Sequence, residues 1–406
     1  MDGSMLVAAG TAVIGSMGIM ESVMHGRFLR KIPIRIHVNG TRGKSGVTRL
    51  IAAGLRAGGI RTCAKTTGTL PRMIFPDGSE YPVFRSARAN VIEQLRIVRA
   101  AARAEADALV IECMALQPAL QSLCELKIIQ ATHGVITNAR ADHLDVMGPT
   151  VDDVARSLAG TIPVGAKMYT AEQRHLSVFR QVAADRRCKV VEVDDDDVAQ
   201  VTWDELEQFP YIEHPDNVAL ALRVCRDLGV DRQAALVGMW EAQPDPGVMT
   251  VYRAQDGGSP ITFINGFAAN DPESTGKIWE MVLARFGGRC RHIAVVNCRS
   301  DRPDRSRQLA EACLNWTPAH HYLVVGSATE LFAKRAVELG LSKQQMTCVE
   351  NTKRPQLIQS LRRVTGANAL VMGMGNISGP GMDLVQHYRA QTVMTPSNQP
   401  VLRKVA

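Results

Sequence analysis

Residues 39 to 45 read NGTRGKS, a set of types and spacings suited to holding phosphate. Its two glycines let backbone approach an anion closely, and N–H groups at a helix start bind phosphate oxygens. Lys44 supplies a fixed positive charge, and the Ser45 hydroxyl is placed to ligate Mg2+. A full Walker A loop, G-x-x-x-x-G-K-[ST], needs glycine at position 38, where this chain has Val38. The candidate nucleotide-binding residues are therefore those of a shortened loop: Asn39, Gly40, Thr41, Arg42, Gly43, Lys44, Ser45 and Gly46.

Three further clusters follow apolar runs. The turn TTGTL carries Thr67 and Thr69, hydroxyls able to lie beside phosphates or to form a plain loop. Glu112 closes the run ALVIE, where an open parallel sheet presents its ligand crevice and a carboxylate suits a metal better than a core. The stretch TNARADHLD puts Asn138 after a strand and sets His143 between Asp142 and Asp145. One histidine by itself is more often structural than a ligand. Ser45, Glu112 and His143, standing at the ends of successive strands, would converge on one point, and Lys44, Glu112 and His143 are the candidate catalytic residues.

The elements that must position these groups are visible in the hydrophobic pattern. Strands are expected at 33–38, 108–113 and 133–137, and helices at 44–57, 90–106, 150–160 and 216–228, the alternation of a parallel, doubly wound sheet. The prolines and glycine of QPDPG, residues 243–247, mark a linker. Beyond it a second alternation predicts strands at 261–265, 292–297, 321–326 and 369–376 with helices near 273–285, 305–315 and 328–338. That region lacks a G-x-G-x-x-G fingerprint, so dinucleotide binding is not supported. It offers Arg299, Arg302 and Arg305 in NCRSDRPDRSR, guanidinium forks for carboxylates or a solvated charged loop, and the glycine-rich GMGNISGPG at 373–381.

Composition narrows the classes. The 406 residues carry a net charge of +7 with 46% apolar residues, and aromatics make up only 5%. Basic residues spread along the whole chain with few aromatics argue against a nucleic-acid partner and for anionic small substrates or lipid headgroups. Nine cysteines without a C-x-x-C pair speak for a reducing compartment. Residues Gly3 to Met20 carry no charge and are followed by Arg27, Arg30 and Lys31. This reads as an N-terminal helix anchoring the chain at the cytoplasmic face of a membrane, with a buried or surface amphipathic helix in a cytoplasmic protein as the alternative.

Taken together, GTRGKS, TTGT, the strand-end Glu112, TN followed by DHLD, and His214 with Asn217 in EHPDNVALAL resemble the Mur ligase superfamily of ATP-dependent amide ligases, folylpolyglutamate synthetase included. KIPIRIHVNGTRGKSGVTRL, KTTGT, FINGFAANDPEST and the apolar N-terminus are most similar to the poly-γ-glutamate synthetase (PgsB/CapB) family. The resemblance implies an α/β fold: a Mur-ligase-like P-loop central domain with a parallel sheet plus a smaller Rossmann-like C-terminal domain. Expected boundaries are an N-terminal helix and linker at 1–31, the ATP-binding domain at 32–245, the C-terminal domain at 246–395 and a tail at 396–406. It also implies Lys44, Gly40 and Gly43 on the phosphates, Mg2+ on Ser45, Glu112 and His143, Asn138 near the nucleotide and Asn217 toward the adenine.

The chain departs from that pattern at three places. Leu158 stands where many such ligases carry a carbamylated lysine, Val248 where an arginine commonly follows Pro-Gly, and Asn265 where an aspartate is usual, with Asp271 as its candidate substitute. The activity implied is activation of a γ-carboxylate as an acyl phosphate, with release of ADP, and addition of glutamate to a growing poly-γ-glutamate chain. The two domains are expected to close over ATP, with the acceptor mainly on the second. Small membrane proteins are the expected partners, and a homo-oligomer is possible in this scheme. The rival readings are a folylpolyglutamate-type ligase and an ATP-binding assembly or regulatory protein that ligates nothing.

Overall fold

The computed structural model describes residues 3–68, 71–85, 89–209, 211, 213–244, 249–267 and 272–391. It divides into two compact units, one comprising residues 1–209 and 214–243 and the other 210–213 and 244–406.

The first unit is built on an eight-stranded sheet. Its strands are β1 (Ile34–Asn39), β2 (Thr62–Thr66), β3 (Arg72–Ile74), β4 (Glu80–Pro82), β5 (Ala108–Glu112), β6 (His133–Ile136), β7 (Lys167–Thr170) and β8 (Lys189–Glu192). They lie in the order β4-β3-β2-β5-β1-β6-β7-β8. From β2 to β8 every neighbouring pair is parallel, and β3 and β4 add an antiparallel hairpin at one edge. Parallel strands are covered on both faces, which is why β1 and β5 read as nearly unbroken apolar runs. Ile36 and Val38 of β1, and Leu109, Val110 and Ile111 of β5, have no exposed surface.

Register places the chemistry at one edge. Val38 pairs with Glu112, and Asn39 pairs with Ile136 of β6, so the C-terminal ends of the three central strands lie level. Helix α2 (Lys44–Ala57) leaves β1 through the shortened loop and buries Val47, Leu50, Ile51 and Leu55. Full burial of each such aliphatic chain contributes roughly 1.5–3 kcal/mol, which holds the helix start against the strand ends. The helices Pro215–Asp227 and Arg232–Glu241 pack on the same helix. Helix α3 (Glu93–Arg103) covers the other face, with Ile97, Val98 and Ala101 in a core shared with Cys63, Leu109 and Ile111.

Helix α1 runs from Gly3 to Arg30, ten residues past the uncharged stretch. Its last turn buries Leu29, while Val13, Ile14, Met17, Ile19 and Met20 are exposed. Among the described residues no helix is long and apolar enough to cross a membrane.

The second unit holds six strands: β9 (Val251–Asp256), β10 (Ser259–Asn265), β11 (Arg291–Cys298), β12 (His321–Gly326), β13 (Met346–Glu350) and β14 (Ala369–Gly375). Their order is β13-β12-β11-β14-β10-β9, parallel except for the edge strand β9. Both units are thus α/β, each with a mainly parallel sheet.

Candidate active site

The loop after β1 turns sharply because two of its residues have a backbone conformation that favours glycine. Gly40 has φ +134° and Gly43 φ +79°. A Cβ on Gly40 would lie 2.0 Å from Thr137 Oγ1, and one on Gly43 would lie 2.9 Å from Asn217 Oδ1. Val38, by contrast, is a wholly buried strand residue. Position 38 belongs to β1, and the loop begins only after Asn39.

A Gly40→Ala substitution tests this packing. The strained backbone costs roughly 1–3 kcal/mol before any clash is counted. The variant is expected to melt several degrees lower and to bind nucleotide at least about tenfold more weakly, measured by thermal unfolding and nucleotide titration.

Asn138 fastens the loop. Its Oδ1 accepts from Thr41 Oγ1 at 2.7 Å and from the Arg42 N–H at 3.0 Å, and its Nδ2 donates to the Arg42 carbonyl at 3.2 Å. Thr137 Oγ1 donates to that carbonyl as well, at 2.6 Å. Arg42 reaches Asp142 across 3.5 Å. Asn39 turns inward: its amide donates to Gln121 Oε1 at 2.8 Å and to Thr161 Oγ1 at 3.2 Å. Gln121 carries no motif in the sequence, and the part Thr137 plays in fastening the loop is visible only in the fold.

Lys44 arches back over the loop, donating to the carbonyls of Gly40 and Thr41. Burial pushes its ammonium below the usual lysine range, against the opposing pull of Glu112 and Asp142. Phosphate oxygens are stronger acceptors for that cation than the two carbonyls it now uses.

Glu112 is buried and fully occupied on one oxygen. Its Oε2 accepts from Ser45 Oγ at 2.8 Å and from the Thr67 N–H at 2.6 Å. That pair of bonds brings the phosphate loop, the end of β5 and the hydroxyl-rich turn to one point. His143 has φ +48° and starts the short helix Leu144–Met147; with Lys44, Asp142 and Leu158 it lines a small cavity beside the loop. Among the described residues no three His, Cys, Asp or Glu side chains form a metal cluster. The oxygens of Ser45 and Glu112 and a single imidazole suit a hard divalent ion that keeps water or phosphate as its other ligands.

Leu158 is 1% exposed and presents its side chain to this cavity, whose only lysine is Lys44. Below the loop, His37 Nδ1 lies 2.8 Å from Glu125 Oε2. Burial alone would lower the His37 pKa; contact with Cys113 and Glu125 carries it up to about 9. Cys113, an apolar filler by its sequence surroundings, lines the cavity next to Lys44.

In the second unit, the segments around Arg299 and Gly373 meet at the C-terminal ends of β11 and β14. Asn297 Nδ2 donates to the carbonyls of Asn376 and Ser378, and Arg305 Nη1 donates to Asn376 Oδ1 at 3.2 Å. The Arg299 fork is already taken by Asp301, at 2.9 and 2.7 Å. Arg302 is the N-cap of the helix Pro303–Ala312. Thr69, Val248 and Asp271 lie outside the described residues.

Two family models match the chain: the Mur ligase middle domain over residues 38–218, and the C-terminal domain of poly-gamma-glutamate synthase CapB over residues 251–391. A capsule biosynthesis protein CapB from Bacillus anthracis is 40% identical over 371 residues, covering 91% of this chain and 79% of that protein. The chain belongs to the CapB family. The PGA synthase CapB of Bacillus subtilis is 36% identical over 395 residues, covering 96% of this chain and 100% of that one. Among solved structures, E. coli FolC in complex with ADP shares the fold with a TM-score of 0.69, covering 91% of this chain and 93% of its own at 17% identity. The bifunctional folylpolyglutamate synthase/dihydrofolate synthase of Yersinia pestis, solved with AMPPNP and a manganese ion, has a TM-score of 0.67 at 16% identity, covering 90% and 92%. The chain thus has the Mur-ligase fold, and of these two neighbours one is solved with ADP and the other with AMPPNP and manganese.

Proposed function

We propose that this chain is the ATP-dependent ligase that elongates poly-γ-glutamate. A carboxylate oxygen at the γ-position of glutamate attacks the γ-phosphorus of ATP, and the bond to the ADP oxygen breaks. The amine of the joining residue then attacks the acyl carbon, phosphate leaves, and the nitrogen loses a proton. The observation that carries this reading is Glu112 Oε2 held jointly by Ser45 Oγ and the Thr67 N–H, beside Lys44.

Such chemistry asks a protein for positioning and charge neutralisation rather than for a nucleophile. Loop N–H groups orient the phosphates, Lys44 offsets their charge, and Asn138 keeps the loop in shape. Ser45, Glu112 and His143 are the residues that would hold Mg2+, which when bound neutralises phosphate charge. Asn217 stands over Gly43, on the side where the nucleotide base would lie, and Arg302 and Arg305 remain candidates for glutamate carboxylates.

We place the chain at the cytoplasmic face of a membrane through α1, alongside small membrane proteins of the same synthesis complex and in a possible homo-oligomer. Support comes from the exposed Val13, Ile14, Met17, Ile19 and Met20 followed by Arg27, Arg30 and Lys31.

The test supplies ATP, Mg2+ and glutamate, without folate, and follows ADP and polymer. Glutamate-dependent ADP release with a protease-resistant γ-linked product is expected. ADP release that ignores glutamate, or none at all, sinks the ligase reading.

A further inference from the structure

We infer that the hairpin edge of the first sheet, centred on Arg72, binds the α-carboxylates of the growing polymer whose terminal γ-carboxylate is activated; the inference rests on the ligase reading above and names where its polyanionic substrate lies. Register brings this edge to the reacting groups. Lys65 pairs with Ile111, the residue before Glu112; Thr66 pairs with Arg72, and Arg72 with Pro82. Arg72 therefore stands at the level of Glu112, two strands away, about 10 Å at the usual spacing between neighbouring strands.

Paired residues on neighbouring strands point to the same face of a sheet. Arg72 shares its face with Thr66 and, farther down, with the Ala64–Ile74 pair, whereas Lys65 and Met73 face α3. The Arg72 face is that of α2: Glu80, opposite Ile74, is ion-paired with Arg49 of that helix. The guanidinium of Arg72 is thus on the side of the sheet where the phosphate loop opens. Among the described residues it has no hydrogen-bond or ion-pair partner, unlike Arg49, Arg85 and Arg299, each held by a carboxylate.

On the other face of the same edge two cations share one carboxylate. Buried Lys65 lies 2.8 Å from Glu93 Oε1, and Arg85 donates to the same carboxylate at 2.7 and 2.9 Å. One carboxylate there serves two cations, and on the α2 face Arg72 has, among the described residues, none of its own. A ligand offering a row of carboxylates answers this imbalance, and a γ-linked glutamate chain carries one on every residue. A chain whose terminal γ-carboxylate sits at the phosphate loop would lay its preceding residues along this edge. The tie from Thr67 to Glu112 makes the path continuous with the reacting end.

The experiment titrates a fluorescein-labelled γ-linked glutamate decamer against the full chain in the presence of ADP and Mg2+. Arg72→Gln is expected to weaken decamer binding about tenfold and to flatten its salt dependence, with ADP affinity unchanged. Arg72→Lys should recover part of the loss, since it restores charge without the fork. Decamer binding by Arg72→Gln equal to that of the unaltered chain overturns the inference. So does a parallel loss of ADP affinity, which would assign Arg72 to the nucleotide. Glutamate-dependent ADP release by the unaltered chain is measured alongside. Its absence defeats the ligase reading; its presence without decamer binding defeats only the polymer path.

Discussion

Replacing Lys44 by alanine is expected to slow glutamate-dependent ADP release by roughly 10²–10³-fold, equivalent to about 3–4 kcal/mol of transition-state stabilisation. The side chain is half-buried, and among the described residues its ammonium donates only to the carbonyls of Gly40 and Thr41. A cation kept there against its desolvation is poised for charge that arrives with the phosphates and spreads over their oxygens during transfer. Alanine leaves the loop's own fastenings intact, since Asn138 and Thr137 bind Thr41 and Arg42 without help from Lys44. Thermal stability should therefore change far less than rate. A Lys44→Ala enzyme releasing ADP at the unaltered rate in a coupled assay would show that phosphate is held elsewhere.

Glu112→Gln separates charge from shape at the second decisive position. Glutamine keeps an oxygen for the Thr67 N–H and nearly the same volume, so folding is expected to survive with a melting shift of a few degrees. The lost negative charge matters for the metal, because a hard divalent cation is held mainly by anionic oxygen. Half-saturation by Mg2+ is expected to rise at least about tenfold, and turnover at saturating Mg2+ to fall roughly 10²-fold. The amide also presents a donor to whichever group it faces, which disturbs the Ser45 hydroxyl now donating to Oε2 at 2.8 Å. A magnesium titration of ATP turnover reads both effects. An unchanged Mg2+ requirement would remove Glu112 from the metal set.

Neither variant addresses the apolar wall contributed by Leu158. With that side chain in the cavity, positive charge near the loop comes from Lys44 and Arg42. At position 158 a carbamate has no nitrogen to form on.

Much of this was legible before any fold was known. Continuous apolar runs ending in Asn39, Glu112 and Asn138 place those residues at the crevice of a parallel sheet, because strands covered on both faces must be apolar throughout and their polar residues collect at the ends. Strand β1, helix α2 and the four parallel strands of the second unit predicted from the pattern fall within one or two residues of their observed limits, since each has a clear apolar run and most have a glycine or proline nearby. The short strands β2, β3, β4, β7, β8, β9 and β13 were not read: TCAKT, RMI and KMYT are too brief or too polar to show a period, and become strands by pairing with neighbours already in place.

The local sequence therefore determined the phosphate loop, its lysine and serine, and the carboxylate at the end of β5, because each depends on a turn, a helix start or a strand end only a few residues long. Tertiary structure decided how those parts are fastened. It set Asn138 as the buckle of the loop, tied Thr67 to Glu112, turned Asn39 inward to Gln121, occupied the Arg299 fork with Asp301, and left Arg72 level with Glu112 across two strands. These are contacts between residues far apart in the chain or between competing partners, and their geometry depends on sheet order and register, which no short stretch of sequence encodes by itself.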